Sequence, residues 1–221
     1  KYGGFNDYRG GGHFSGRLTA GLVAAGVLAK KVLGAVEVEA KLQSVGGTTD
    51  IDAAIDAALA AGDSAGGVVE CSVKGLPVGL GEPFFDSVES LLSHAVFAIP
   101  AIKAIEFGLG FACTKMSGSE FNDNILNAQG VTETNNAGGI NGGITNGNEL
   151  VFRIAVKPTS SIKKEKKTVN LESNEQVAIS VKGRHDACIA LRVPVVLEAV
   201  TALVLADLMR LENNVDRIVE E

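Results

Sequence analysis

Leu150-Val151-Phe152-Arg153-Ile154-Ala155-Val156 places Leu150, Phe152, Ile154 and Val156 on one side of an extended chain, with Val151, Arg153 and Ala155 on the other. Successive side chains of a strand point to opposite faces, so this alternation predicts a half-buried strand. Val177, Ile179 and Val181 repeat the pattern, and the lysine-rich segment Lys163 to Lys167 between them reads as a solvated hairpin tip. Upstream, strands are expected over about Ala35–Leu42, Gly67–Val73, Ala101–Phe107 and Ala112–Met116. Helices are expected over about Gly16–Leu33, Ile51–Ala61, Phe84–Phe97 and Pro194–Glu212. Ser15 and Asp50 stand at N-cap positions of the first two helices, and Gly62 closes the second. The last helix is apolar nearly all round, which predicts a place deep in the fold or in a subunit interface. Strand–helix–strand units with short antiparallel partners predict an α+β architecture with helices packed on sheets.

The chain has 221 residues, 46% hydrophobic and 21% charged, which excludes a disordered chain. A net charge of −6 argues against a nucleic-acid or membrane-surface binder, since either needs a basic face, while a local Arg/Lys cluster could still hold a small anion. Cys71, Cys113 and Cys188 are widely spaced with no CxxC, which suits reduced thiols in a cytoplasmic protein better than a disulfide frame or a zinc site. Val193 to Leu211 carries Glu198, Asp207 and Arg210, so it reads as a buried helix rather than a membrane span. The opening Lys1-Tyr2-Gly3-Gly4 has no initiator Met and predicts a chain incomplete at its N-terminus.

Four segments combine glycine with anion-binding or titratable residues. Arg9-Gly10-Gly11-Gly12-His13-Phe14-Ser15-Gly16-Arg17 enters a helix N-terminus, where free N–H groups and the dipole favour an anion. Asn135 to Gly147 is rich in glycine and carboxamides: Gly138 to Gly143 suits a backbone lying against a planar ligand, and Asn146-Gly147 suits a type I′ turn. Lys157-Pro158-Thr159-Ser160-Ser161 offers one ammonium and three hydroxyls, enough to hold a phosphate, with each charge-assisted bond contributing about 1.5–3 kcal/mol. Gly183-Arg184-His185-Asp186 sets a cation, an imidazole and a carboxylate in sequence; Arg184 favours the ionised form of Asp186, which could serve as a base.

RGGGHFSGRLTA, GLGEPFFDSVES, GSEFND, TNNAGGINGGITNG, KPTSSI and GRHDACIALRVPV resemble, in order and spacing, the successive signatures of the chorismate synthase family. The resemblance spans Lys1 to the final helix and implies a single domain over residues 1–221, a β-sheet sandwich wrapped by helices that assembles as a homotetramer. It implies a lyase that uses reduced FMN to eliminate phosphate from 5-enolpyruvylshikimate-3-phosphate, giving chorismate on the way to the aromatic amino acids. FMN contacts would fall on His13, Phe14 and Ser15, on Pro100 and Ala101, on Gly142, on Lys157, Pro158, Thr159, Ser160 and Ser161, and on Arg184. Arg17 and Arg184 resemble residues that hold the anionic, phosphorylated substrate, and Asp186 resembles the aspartate that handles a proton near the flavin. No metal is implied.

Several positions depart from the family pattern. His13 stands where many members have Arg, Asn141 where Leu is usual and Ala187 where Pro is usual. The family's two functional histidines and further substrate arginines belong before the Lys1-Tyr2-Gly3 segment. A truncated, non-catalytic or weakly active remnant that keeps the flavin-binding and assembly surfaces is therefore the second reading. Electrons could reach the flavin as free reduced flavin or through an NADPH-dependent reductase activity. A flavodoxin-like carrier is a poorer match, because it needs a Ser/Thr-rich phosphate loop after the first strand of a parallel sheet.

Overall fold

In the structure, a computed structural model, residues 1–6, 11–181, 183 and 185–213 are described. The alternation at Leu150–Val156 builds strand β6, whose Leu150, Phe152, Ile154 and Val156 are all buried. It runs antiparallel between β2 (Gly67–Lys74) and β3 (Ile102–Phe107), and β1 (Glu37–Val45) closes the sheet beyond β2, in the order β1-β2-β6-β3. Phe152 lies opposite Cys71 on one side and Phe107 on the other, and the two phenyl rings sit 5.6 Å apart. Helix α5 (Val193–Glu212) packs on this sheet, and the Cys71 thiol meets the Thr201 hydroxyl at 3.7 Å. Burial pushes the Cys71 thiol up to about 12, an effect the Thr201 contact only partly offsets.

α5 with the turn before it is long and apolar enough to cross a membrane, but 56% of its most apolar window is buried within the fold. It is the central core helix, in line with its all-round apolarity. α1 (Thr19–Leu33) lies along it, with Gly26 against Ala199: a Cβ at Gly26 would come within 2.6 Å of the Ala199 Cα. Glu198 fastens three elements, accepting from Lys30 Nζ of α1 at 2.5 Å and from the Ala40 N–H of β1 at 3.0 Å. α3 (Val88–Val96) adds Val88, Leu92 and Val96 to the same core, and α2 (Ile51–Ala60) packs beside β1. Asp50 and Ser87 cap α2 and α3 by accepting from the N–H groups of Ala53 and Ser90. A short helix, α4 (Gly118–Phe121), and two ribbons, β4–β5 (Ile140–Asn141 with Ile144–Thr145) and β7–β8 (Lys166–Val169 with Gln176–Ile179), complete the chain. The result is a mixed α+β fold with antiparallel sheets.

Some expected elements take another form. Gly16–Leu18 and Phe84–Asp86 are single 3-10 turns ahead of α1 and α3: Ser15 caps the first turn, which runs on into α1, whereas Ser87 follows the second and starts α3 by accepting the Ser90 N–H. The strand expected at Ala112–Met116 is a 3-10 helix, Gly110–Lys115: the Glu106 carboxylate accepts from the Phe111 N–H and turns the chain as β3 ends. The lysines of 163–167 are not a hairpin tip. They lead into β7, and the tip is at Asn170–Glu175, where the Asn170 carboxamide accepts from the N–H groups of Glu172 and Ser173. β8 is exposed throughout rather than half-buried, since its ribbon stands apart from the main sheet.

Candidate functional site

Leaving the sheet, β6 continues straight into Lys157, whose N–H donates to the Ala101 carbonyl at 3.0 Å. Ala101 sits at φ 76°, left-handed backbone that a non-glycine residue adopts only under constraint. This contact joins Pro100 and Ala101 to the Lys157–Ser161 segment, two groups far apart in sequence. Lys157 Nζ folds back on its own loop, donating to Ser160 Oγ at 2.6 Å and to the Pro158 carbonyl at 3.2 Å, while Lys166 Nζ donates to the Ser160 carbonyl. The Thr159 carbonyl accepts from Ser64 Oγ at 2.7 Å, yet the Thr159 hydroxyl is buried with no partner among the described residues.

Across from this loop, the 185–187 segment is held by Ala65, whose N–H donates to the Ala187 carbonyl at 2.8 Å. His185 Nε2 lies 3.2 Å from the Val181 carbonyl, and Asp186 pairs with Arg192 at 3.0 Å. The sequence pointed to Arg184 as the cation beside Asp186. Arg184, like Arg9, lies outside the described residues; the ion partner the structure gives Asp186 is Arg192, six residues on. Between the two loops is a cleft of about 340 Å³, lined by Asp63, Ser161, Lys163, Gly183, His185 and Asp186 among others. The Lys164 ammonium, at 2.7 Å, and then the Ser64 N–H hold the Asp63 carboxyl below the usual range.

The remaining candidates lie on other elements. His13 and Phe14 belong to a 3-10 turn (Gly12–Phe14), and Phe14 meets the Tyr2 ring edge-on at 6.1 Å. Ser15 caps the 3-10 turn that leads into α1 rather than α1 itself, accepting from the Arg17 N–H at 3.2 Å, and the Arg17 side chain is exposed with no carboxylate partner among the described residues. Gly142 and Gly143, at φ 62° and 91°, form the two-residue turn of the β4–β5 hairpin. The type I′ conformation expected of Asn146-Gly147 is absent there, because Asn146 does not have positive φ; Asn146 instead accepts from the Asn148 N–H. Of the glycines expected against a planar ligand, Gly138, Gly139 and Gly143 press on this chain's own backbone and on Ser87, and only Gly142 faces open space. Their lack of a side chain is used up by the fold: at Gly139 a Cβ would lie 2.5 Å from the Glu149 carbonyl oxygen.

The structure thus brings Pro100, Ala101, Lys157 to Ser161 and Asp186 to one end of the sheet, and leaves His13, Phe14, Ser15, Arg17 and Gly142 on separate turns. Sequence reasoning missed Asp63, Ser64 and Lys163. The signal for Asp63 and Ser64 was slight, a polar pair directly after the helix-closing Gly62, and Lys163 was read only as part of a solvated charge run. Ser161 lines the cleft, and the five-residue segment that ends with it carries an ammonium, two serine hydroxyls and a buried Thr159 hydroxyl with no partner among the described residues, a donor set that suits a phosphate-bearing cofactor such as FMN.

Comparison with known proteins agrees with the sequence signatures. A family model described as chorismate synthase matches residues 1–210. A chorismate synthase of Chitinophaga pinensis is 66% identical over 219 residues, covering 99% of this chain and 66% of that protein. One of Dehalococcoides mccartyi is 44% identical over 252 residues, covering all of this chain and 69% of that protein. The chain therefore spans about two thirds of the length of the curated relatives it matches. A crystal structure of chorismate synthase superposes with a TM-score of 0.75 at 26% identity, covering 90% of this chain and 65% of that one. Signatures, fold and relatives along almost the whole chain agree: it belongs to the chorismate synthase family.

Proposed function

We propose that this protein is a carbon–oxygen lyase that uses reduced FMN to eliminate phosphate from 5-enolpyruvylshikimate-3-phosphate and release chorismate. The observation that carries this reading is the cleft where Ser161 and Lys163 face His185 and Asp186, at the end of the Lys157–Ser161 segment whose buried Thr159 hydroxyl has no partner among the described residues. In the reaction one C–O bond to phosphate breaks, a proton leaves a second carbon, and a new C=C bond forms, with no net oxidation. Bound reduced FMN would supply electron density to the breaking C–O bond and regain it, so the protein need not be an oxidant.

The chain's own residues would bind, orient and take the proton. Lys157, Thr159, Ser160 and Ser161 hold the phosphate-bearing end of the cofactor, a role suited to charge-assisted bonds. Pro100 and Ala101 set the course of that loop through the Lys157 N–H, and His13, Phe14, Ser15, Gly142 and Arg184 supply further cofactor contacts. Arg17 and Arg184 meet the anionic groups of the substrate; the exposed guanidinium of Arg17, without a carboxylate partner among the described residues, is available for this. Asp186 takes the proton, with Arg192 holding its carboxylate.

A homotetramer is the expected assembly, and exposed Phe84, Phe85, Phe111 and Leu28 offer apolar area for subunit contacts. The three free cysteines suit a reducing, cytoplasmic setting. An anaerobic assay of the complete chain with reduced FMN should yield chorismate and phosphate in equal amounts. Flavin binding without turnover would favour the remnant reading, and neither binding nor turnover would refute the proposal.

A further inference from the structure

α2 does not simply stop before β2; its end is built into the cleft. Gly62 turns left-handed, and the N–H groups of Gly62 and Asp63 return to the Leu59 and Ala58 carbonyls, closing the helix. The turn that follows touches both functional loops. Ser64 Oγ donates to the Thr159 carbonyl at 2.7 Å, Lys164 Nζ pairs with Asp63 at 2.7 Å, and the Lys163 N–H donates to the Gly62 carbonyl at 3.2 Å. On the other side the Ala65 N–H donates to the Ala187 carbonyl, beside Asp186. Gly66 is wedged against the exit of β6: a Cβ there would lie 2.6 Å from the Val156 carbonyl oxygen and 3.1 Å from Pro158.

We propose that the Gly62–Gly66 turn is the positioning element of the phosphate-binding loop, and that Ser64, acting through the Thr159 carbonyl, sets where the Thr159 hydroxyl meets the cofactor's phosphate. This rests on the reading of Lys157–Ser161 as that loop. Thr159 shows the division of labour. Its carbonyl is taken by Ser64 and its buried hydroxyl is left without a partner among the described residues, an arrangement that is costly unless a ligand oxygen completes it. Asp63 serves the same end, its carboxylate taking the Ser64 N–H at 2.9 Å on one side and Lys164 on the other. Neither residue touches the reacting atoms; both act through the loop.

FMN and riboflavin differ only by the phosphate, so the ratio of their affinities isolates this loop. Fluorescence titration of both flavins, with a thermal melt, is made on the wild type, Ser64→Ala, Ser64→Thr and Lys157→Ala. Ser64→Ala should lower the preference for FMN by about tenfold, the loss for one misplaced charge-assisted bond, with riboflavin affinity and melting temperature held. Ser64→Thr, which keeps a hydroxyl, should restore most of it. If Ser64→Ala fails to fold, Lys164→Ala removes only the exposed tie to Asp63 and should show a smaller drop in the same ratio. An unchanged ratio in Ser64→Ala, with Lys157→Ala lowering it, would overturn the positioning role and leave the loop reading standing. Equal losses for both flavins with a lower melting temperature would make the turn merely structural and overturn the role as well. A wild type with no preference for FMN would remove the loop reading, and this inference with it.

Discussion

Replacing Asp186 by Asn keeps the volume of the side chain and a carbonyl oxygen for Arg192, but removes the group that can take a proton. The structure sets the expected side effect. The Asp186–Arg192 pair spans 3.0 Å with side chains 48% and 75% exposed. A pair that open to water contributes about 0–1 kcal/mol. In a domain of this length each kcal/mol moves the melting temperature by roughly 2–4 °C, so Asp186→Asn should melt within about 4 °C of wild type. Loss of a general base, by contrast, costs about 10²–10⁴ in rate, or roughly 2.7–5.4 kcal/mol in the barrier. Turnover of the complete chain, measured anaerobically with reduced FMN, should fall by that factor while KM changes little. Arg192→Ala gives the contrast, because it frees the carboxylate without destroying it and should cost far less. A normal turnover number in Asp186→Asn would refute the base assignment. A large drop in melting temperature together with weaker substrate binding would show instead that Asp186 braces its loop.

Three further outcomes follow from the packing. Gly26→Ala should destabilise by about 1–3 kcal/mol despite the better helix propensity of Ala, because the new methyl would overlap the Ala199 backbone and force α1 off α5; urea unfolding measures it, and a neutral or stabilising result would mean the helices are not in that contact. Burial raises the Asp123 carboxyl, but the hydroxyl of Thr134 and the N–H groups of Ala137 and Asn136 outweigh it and hold the carboxyl below its ordinary 3.8. Its contribution is therefore fully present above about pH 4 and lost as pH falls through the lower folded value, so Asp123→Asn should flatten the acid limb of the stability curve; an unchanged limb would exclude the linkage. With its thiol at about 12 and buried, Cys71 should resist iodoacetamide at pH 8 in the native protein while the part-exposed Cys113 reacts, as peptide mass analysis would show; equal labelling would contradict the core assignment.

Periodicity alone placed β6, because period-2 alternation with β-branched and aromatic residues has few other uses. It also placed α5, where an apolar run with scattered charges has to be buried, and the caps at Ser15 and Asp50, where one side chain meets one nearby N–H. The six signatures carried the family, since they are local in sequence and keep their order. Local sequence could not tell that Ala112–Met116 would coil as a 3-10 helix around the Glu106 carboxylate, or that the Lys163–Lys167 charges would begin a strand. Nor could it tell that Gly138, Gly139 and Gly143 are glycines because their own chain presses on them rather than a ligand. Those outcomes depend on which backbone arrives from elsewhere in the chain. The site shows the same divide. Lys157–Ser161 and Asp186 were legible as anion-binding and titratable types, but Arg192 as the partner of Asp186, Ala101 as the acceptor for Lys157, and the Gly62–Gly66 turn as the tie between both loops were not. A hydrogen bond between Ser64 and Thr159 links residues 95 positions apart. Only the sheet order, which sets the start of β2 beside the end of β6, brings them within reach.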